Sequence, residues 1–283
     1  MPLGTETTTM ANSPPSSETR KRTVPAVARA ARLLDVLAAA ADPMRLAVLA
    51  KALELPRSTV HGLCATLVDA GLVTRFQDGT YHLGVRIMDL AHAYLARTDL
   101  TVEFAKILSS EAPIPEESVV LSVLDGADIV YVACRNGSRP FGFNFRFGMR
   151  LPANCAASGK ALLSTLPEER IIEFARARMF YTLTRKSVAR AAPLLKQLAE
   201  VRRNGYAIDD EETRQGMVCI GAPVFGSSVG EAVAAVAVSM PKAALHARHK
   251  ALAIRTVKHL AATMSQRLGG SGPTARIGVD AGS

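Results

Sequence analysis

Two short stretches of this chain concentrate side chains able to bind or react. The first is Arg57-Ser58-Thr59-Val60-His61, with Thr66 a turn further on: a guanidinium, hydroxyls and an imidazole placed close together. Donors of this kind on the first turns of a helix suit phosphate oxygens, and an arginine among them can also pair with a guanine edge. The second is Ala156-Ala157-Ser158-Gly159-Lys160, small residues running into a lysine. Where such a loop opens a helix, its N–H groups and the positive dipole end suit a carboxylate. Ser158 and Lys160 also have the spacing of a nucleophile and its base, the basis of a competing enzymatic reading. That spacing is common by chance and lacks the Gly-rich approach of a phosphate loop, so no catalysis is expected. Asp209-Asp210-Glu211-Glu212 forms an acidic bend from which one member is expected to face a pocket. The cysteines Cys64, Cys134, Cys155 and Cys219 are scattered, with no CxxC and no histidine at ligand spacing. Neither a metal nor a cofactor is expected, and a reducing cytoplasm is the simplest location.

The elements that must hold these residues follow from apolar spacing. Val60, Leu63, Cys64, Leu67 and Val68 recur at the spacing of a half-buried helix, with Pro56 suited to its first turn and Gly71 to the position past its end. Before it, the pattern predicts a helix over Val24–Ala40, then a cap and first-turn proline at Asp42-Pro43 opening a short helix to Leu53, with Arg45 at its start. After it, Leu72–Phe76 and Tyr81–Leu83 read as strands joined at Gln77-Asp78-Gly79-Thr80. Three helices and a two-stranded ribbon in this order make a winged helix-turn-helix. On that frame Arg57, Ser58, Thr59, His61 and Thr66 face a DNA groove, and Arg45 and Arg75 are candidate phosphate contacts. The blander reading of Ser58 or Thr59 is a helix cap.

Farther along, Val85–Thr98 reads as a helix with a wide apolar face suited to packing on a second subunit, and Val102–Leu108 as another. The texture then changes. Strands are expected at Ser118–Leu124, Ile129–Ala133, Phe141–Phe145, Asn204–Asp209, Cys219–Phe225 and Ala232–Ser239. Helices are expected at Ala156–Ser164, Pro167–Arg178 and Ala192–Arg203, with a last one opened by Pro241 and ending near Leu268. Strands flanked by helices at both ends give an α+β unit.

At 283 residues the chain has room for two domains, and 48% hydrophobic residues supply real cores. No run approaches the ~18 apolar residues of a membrane span, and Met1–Ser17 lacks the basic start and apolar centre of a signal peptide. The net charge of +9 suits a polyanion, but nine Lys/Arg against five Asp/Glu between Arg20 and Gly84 leave the surplus spread along the chain. The expected organisation is a disordered tail at 1–22, a DNA-binding domain at 23–84, a linker helix at 85–100, an α+β domain at 101–268 and a second tail at 269–283.

Several motifs in order carry a resemblance. They are Leu55-Pro56-Arg57-Ser58-Thr59-Val60-His61, Asp78-Gly79-Thr80-Tyr81-His82-Leu83-Gly84, Leu151-Pro152 followed by Ser158-Gly159-Lys160-Ala161-Leu162-Leu163, and Gly205-Tyr206-Ala207-Ile208-Asp209 leading to Gly216 and Cys219-Ile220-Gly221-Ala222-Pro223-Val224. From Val24 to Leu268 the chain resembles the IclR family of bacterial transcriptional regulators. The resemblance implies a winged helix, a linker helix used in dimerisation and a GAF-like domain for a small organic effector, often a carboxylate or an aromatic acid. It points to Phe143 and Leu151 as walls of that site, with Ala157, Ser158, Gly159, Asp209, Met217, Cys219 and Ser239 around the ligand. The implied function is ligand-responsive regulation of a catabolic operon through double-stranded operator DNA, as a homodimer or tetramer, with no membrane partner. A ligand-independent architectural DNA binder is the alternative, against which the size of the second domain argues. The chain also departs from the family: Gly62 replaces a usual Arg, Asn154-Cys155-Ala156-Ala157 a usual His-Ala-Ser-Gly, Val218 a common Arg, and Ala237 a frequently polar residue. These changes favour a larger or more apolar ligand.

Overall fold

The computed structural model describes residues 24–96, 100–111, 114–139, 143–227 and 230–270. They fall into two compact units that divide between Tyr94 and Leu95. The tails expected at 1–22 and most of 269–283 lie outside the described residues.

The first unit begins with α1 (Pro25–Ala39), whose proline occupies the first turn. After Asp42-Pro43 the chain does not enter a helix directly. Met44–Arg45 forms a short strand, β1, and α2 (Leu46–Leu53) starts only afterwards. The cause is pairing: Met44 and Arg45 lie opposite Tyr81 and Thr80 and cover an edge that the two-stranded wing would leave open. Glu54, at φ 55°, closes α2 in the left-handed region and turns the chain into α3 (Arg57–Asp69). Gly71, at φ 71°, ends α3, and the next amide, of Leu72, donates to the Leu67 carbonyl at 2.9 Å. The wing follows as β2 (Val73–Arg75) and β3 (Thr80–Leu83), paired antiparallel. Leu33, Leu37, Leu49, Leu53, Val60 and Cys64 interlock as the core between the three helices. A further helix, α4 (Arg86–Ala96), succeeds the wing.

The second unit places α5 (Leu100–Glu111), β4 (Ser118–Asp125), β5 (Asp128–Arg135), β6 (Arg150–Pro152), α6 (Ala157–Leu163), α7 (Glu168–Arg176), α8 (Ala191–Asn204), β7 (Ala207–Asp210), β8 (Met217–Phe225), β9 (Ala232–Pro241) and α9 (Ala247–Arg267) along the chain. The six strands form one antiparallel sheet in the order β6-β5-β4-β9-β8-β7. One face is covered by α5 and α9 through Ile107, Val257, Leu260 and Met264, which pack on Val119, Ile220 and Val238. The other carries α6, α7 and α8. Cover on both faces explains why β8 is apolar and buried at every position rather than alternating.

The α6 face has a row of small residues in register, Ala207, Gly221 and Ala237, ending at Val120. A side chain on Gly221 would lie 2.8 Å from the Ala157 carbonyl carbon, so the absence of one lets α6 rest directly on the sheet. Gly159 is pressed against Ala153 in the same way: a Cβ there would stand only 2.3 Å from the Ala153 oxygen.

Two expected elements are corrected. Residues 143–145 of the expected strand Phe141–Phe145 carry no regular structure, while 141 and 142 lie outside the described residues. The Phe145 amide donates to Asn136 Oδ1 at 2.8 Å and its carbonyl accepts from Asn136 Nδ2 at 3.2 Å, so a side chain takes the bonds a strand partner would need. The strand beyond β5 is instead β6. Likewise Pro241 ends β9 opposite Met217 and opens only a single 3-10 turn, Lys242–Ala244, while the last long helix, α9, begins after His246, whose ring accepts from the His249 amide.

Candidate DNA-binding and effector sites

On α3 the buried stripe is Val60, Cys64 and Leu67, and the opposite side is open. Arg57, Ser58, His61, Gly62 and Thr66 are exposed and Thr59 is half-buried. Pro56 holds the cap position, so the hydroxyls of Ser58 and Thr59 stand inside the first turn and are not the cap. Thr66 donates to the Gly62 carbonyl at 3.0 Å, which keeps its hydroxyl against the helix. On the wing, the Arg75 guanidinium lies 5.9 Å from the centre of the Tyr81 ring, and Arg45 is exposed on β1 beside Thr80. The structure therefore leaves Arg57, Ser58, His61 and Thr66 exposed on α3, with Arg45 and Arg75 exposed on the adjoining ribbon.

In the second unit, strand register assembles the other residues. Asp209 on β7 lies opposite Cys219 on β8, Cys219 opposite Ser239 on β9, and Ser239 opposite Ser118 on β4. This polar row runs across four strands beside the small-residue row under α6. Cys219 Sγ and Ser239 Oγ are 3.1 Å apart. Met217 is two residues from Cys219 on the same strand face, and Leu151 joins the same apolar cluster from β6. Phe143 and Ser239 line a small crevice at the end of the row together with Glu117, Ser118, Gly137 and Arg139. Ala157 covers the neighbouring row; Ser158 and Gly159 are buried in α6, where the glycine serves close packing.

The charged groups here are tied. Asp209 accepts from the amides of Glu212 and Thr213 at 2.6 and 3.2 Å and from the Thr213 hydroxyl. Burial pushes its carboxyl up from the usual range against those bonds. Burial likewise raises Glu212, opposed by Lys160, whose ammonium sits 2.5 Å away with only 2% of its side chain exposed. Burial also pushes the Cys219 thiol far up and the Cys155 thiol to about 11, so neither is a reactive thiolate at neutral pH. Glu117, 1% exposed, pairs with Arg139 at 2.7 Å, and His249 Nε2 stands 3.4 Å from the same oxygen.

No sequence pattern singles out Ser118, Tyr131, Glu117 or Arg139, yet all four border the row. Tyr131 is buried, with its ring edge-on to Phe145 at 5.5 Å, and its hydroxyl is held neutral by burial and by the nearness of Cys219 and Asp209. A buried tyrosine beside a polar row has no local motif; only the register reveals it. Among the described residues no group of three His, Cys, Asp or Glu is arranged to hold a metal, and no helix is long and apolar enough to cross a membrane.

Two family models match the chain: an IclR helix-turn-helix domain over residues 26–75 and the C-terminal domain of bacterial transcriptional regulator IclR over residues 92–266. The chain is 34% identical over 240 residues to HTH-type transcriptional regulator Rv1719 of Mycobacterium tuberculosis, covering 83% of this chain and 90% of that one. It is 35% identical to the Agobacterium tumefaciens repressor BlcR, whose crystal structure superposes with a TM-score of 0.57 over 88% of this chain and 99% of that one. An IclR homologue from Microbacterium hydrocarbonoxydans, complexed with 4-hydroxybenzoate, shares the fold at a TM-score of 0.70 and 21% identity, with 86% and 98% coverage.

Proposed function

The chain belongs to the IclR family of transcriptional regulators, and we propose that it grips operator DNA through α3 and the wing while a small organic effector binds at the Asp209–Cys219–Ser239 row. The observation that carries the DNA half is the exposed surface of α3, carrying Arg57, Ser58, His61 and Thr66, beside a fully buried apolar stripe. Arg45 and Arg75 add phosphate contacts from the ribbon. The effector half rests on a row of polar side chains held in register inside an otherwise apolar cluster. The protein works in the cytoplasm as a homodimer or tetramer on a two-fold operator. Effector binding changes operator affinity by a coupling free energy between the units.

The test begins with a duplex selected from random sequence by the protein itself. Arg57→Ala should weaken binding to it by about 1–3 kcal/mol and relax the preference at the base pair that Arg57 reads. Unchanged affinity together with an unchanged salt slope would remove Arg57 from the interface. Catalysis by Ser158 and Lys160 is not part of this reading. The lysine ammonium bonds to Glu212 and Gln197, and residues two apart on a helix do not face each other.

A further inference from the structure

Building on the effector site just proposed, we infer that its ligand is uncharged at its polar end: a hydroxyl-, amide- or carbonyl-bearing molecule with an apolar body, not an organic anion. The buried cations around the row are already engaged by acids. Three buried acidic side chains surround it: Asp209 within it, Glu212 at the foot of α6 and Glu117 at the crevice. Of the cations near it, two are each bonded to one of those acids, Lys160 to Glu212 at 2.5 Å and Arg139 to Glu117 at 2.7 Å, and Arg135 beside Glu117 donates to the Ile114 carbonyl at 3.0 Å. His249 approaches Glu117 from a third side. Arg214 stays exposed with its guanidinium 5.2 Å from the centre of the Phe143 ring, on the rim.

A carboxylate lodged beside Ser239 would thus add a fourth buried acidic group, and pairing it would strip Glu117 of Arg139 or Glu212 of Lys160. Breaking a buried pair by removing one partner is strongly unfavourable. The turn into α6 gives no alternative, because it is packed on Gly221 and Ala153. Neutral donors and acceptors are supplied by the Ser239 hydroxyl, the Cys219 thiol and the Tyr131 phenol, while the Ser118 hydroxyl donates to the Phe143 carbonyl and accepts from the Gly137 amide. The Tyr131 hydroxyl makes no hydrogen bond among the described residues although the side chain is only 4% exposed. That donor is available to a ligand oxygen. Leu151, Phe143, Phe145 and Met217 supply the apolar walls.

The experiment uses the full chain and matched probe pairs of nearly equal shape, benzoate with benzamide and 4-hydroxybenzoate with 4-hydroxybenzamide. Binding is read by calorimetry and by change in affinity for the selected duplex. The neutral member of a pair should bind at least about tenfold tighter than its acid. Glu117→Gln should release Arg139 and move that ratio toward the acid, and Glu117→Gln combined with Arg139→Gln should restore it. Acids that bind the unaltered protein as tightly as their neutral partners overturn the inference and leave the effector site standing. A ratio untouched by Glu117→Gln also overturns it, since Arg139 would then play no part in excluding anions; should that variant fail to fold, the wild-type ratio decides. If no probe of either kind binds or alters duplex affinity at millimolar concentration, the effector site itself falls and the inference with it.

Discussion

Gly62 sits in the middle of the exposed face of α3, and a Cβ at this position would meet nothing within 4 Å. No packing reason therefore demands a glycine there, and its backbone freedom weakens the helix that must present Arg57 and His61. Gly62→Ala should stabilise the first unit by about 0.5–1 kcal/mol, read as a higher midpoint in urea. Gly62→Arg adds a cation on the side proposed to face the groove. It should tighten binding to the selected duplex and steepen the salt dependence by roughly one phosphate contact, and equally across sequences. A duplex affinity that stays put, with the helix stabilised, would place Gly62 outside the interface. The same open face explains why this region is legible from sequence. Residue types on one helix follow a 3.6-residue period, so Val60, Cys64 and Leu67, flanked by half-buried Leu63 and Val68, mark the inside and the polar residues the outside.

Among the elements, the close seat of α6 on the sheet depends on the missing side chain of Gly221. Gly221→Ala pushes a methyl toward backbone atoms of Ala157 and Ser158, which cannot rotate away. A loss of about 1–3 kcal/mol is expected from overpacking, seen as a lower thermal midpoint of the second unit. The bend after β7 supplies a pH test. Glu211 accepts from Lys186, Lys242 and the Gly216 amide, and these bonds lower its carboxyl from 4.5 to about 2. A lowered folded value means that its stabilisation is present above pH 4.5 and drains away as the pH falls toward about 2. Asp209 and Glu212, raised by burial, act with the opposite sign, losing stability as the pH rises. The difference in thermal midpoint between the wild type and Glu211→Gln should therefore shrink steadily on acidification below pH 4.5 and shrink also in high salt. Apolar runs announce α6, β8 and β9 in the sequence. They cannot announce that Asp209, Cys219, Ser239 and Ser118 share a row, because register links strands up to 121 residues apart. The Glu117–Arg139 pair is hidden for the same reason, and the Phe145 segment reads as a strand although the Asn136 side chain replaces the ladder.

For the whole molecule, the proposed two-fold operator requires two copies held together, and the first unit offers apolar surface for that. Val85, Met88 and Leu90 around the start of α4 are 80%, 67% and 52% exposed, and Val24 and Val27 at the start of α1 are also open. Apolar side chains concentrated on helices at the surface of so small a unit mark an association surface. In an isologous interface each residue is used twice, once from each copy, so one substitution is felt twice. Fully burying a methionine is worth about 1.5–3 kcal/mol, so replacing it by a charge in both copies is enough to move a dimer's affinity by about a hundredfold or more. Met88→Glu should therefore lower the mass found by sedimentation at micromolar protein without lowering the urea midpoint of the folded chain. Binding to a two-half-site duplex should drop sharply, and binding to a single half-site should not change. A mass that is unaffected at every concentration would move the association surface away from α4, and with it the means by which an effector in the second unit is felt at the DNA.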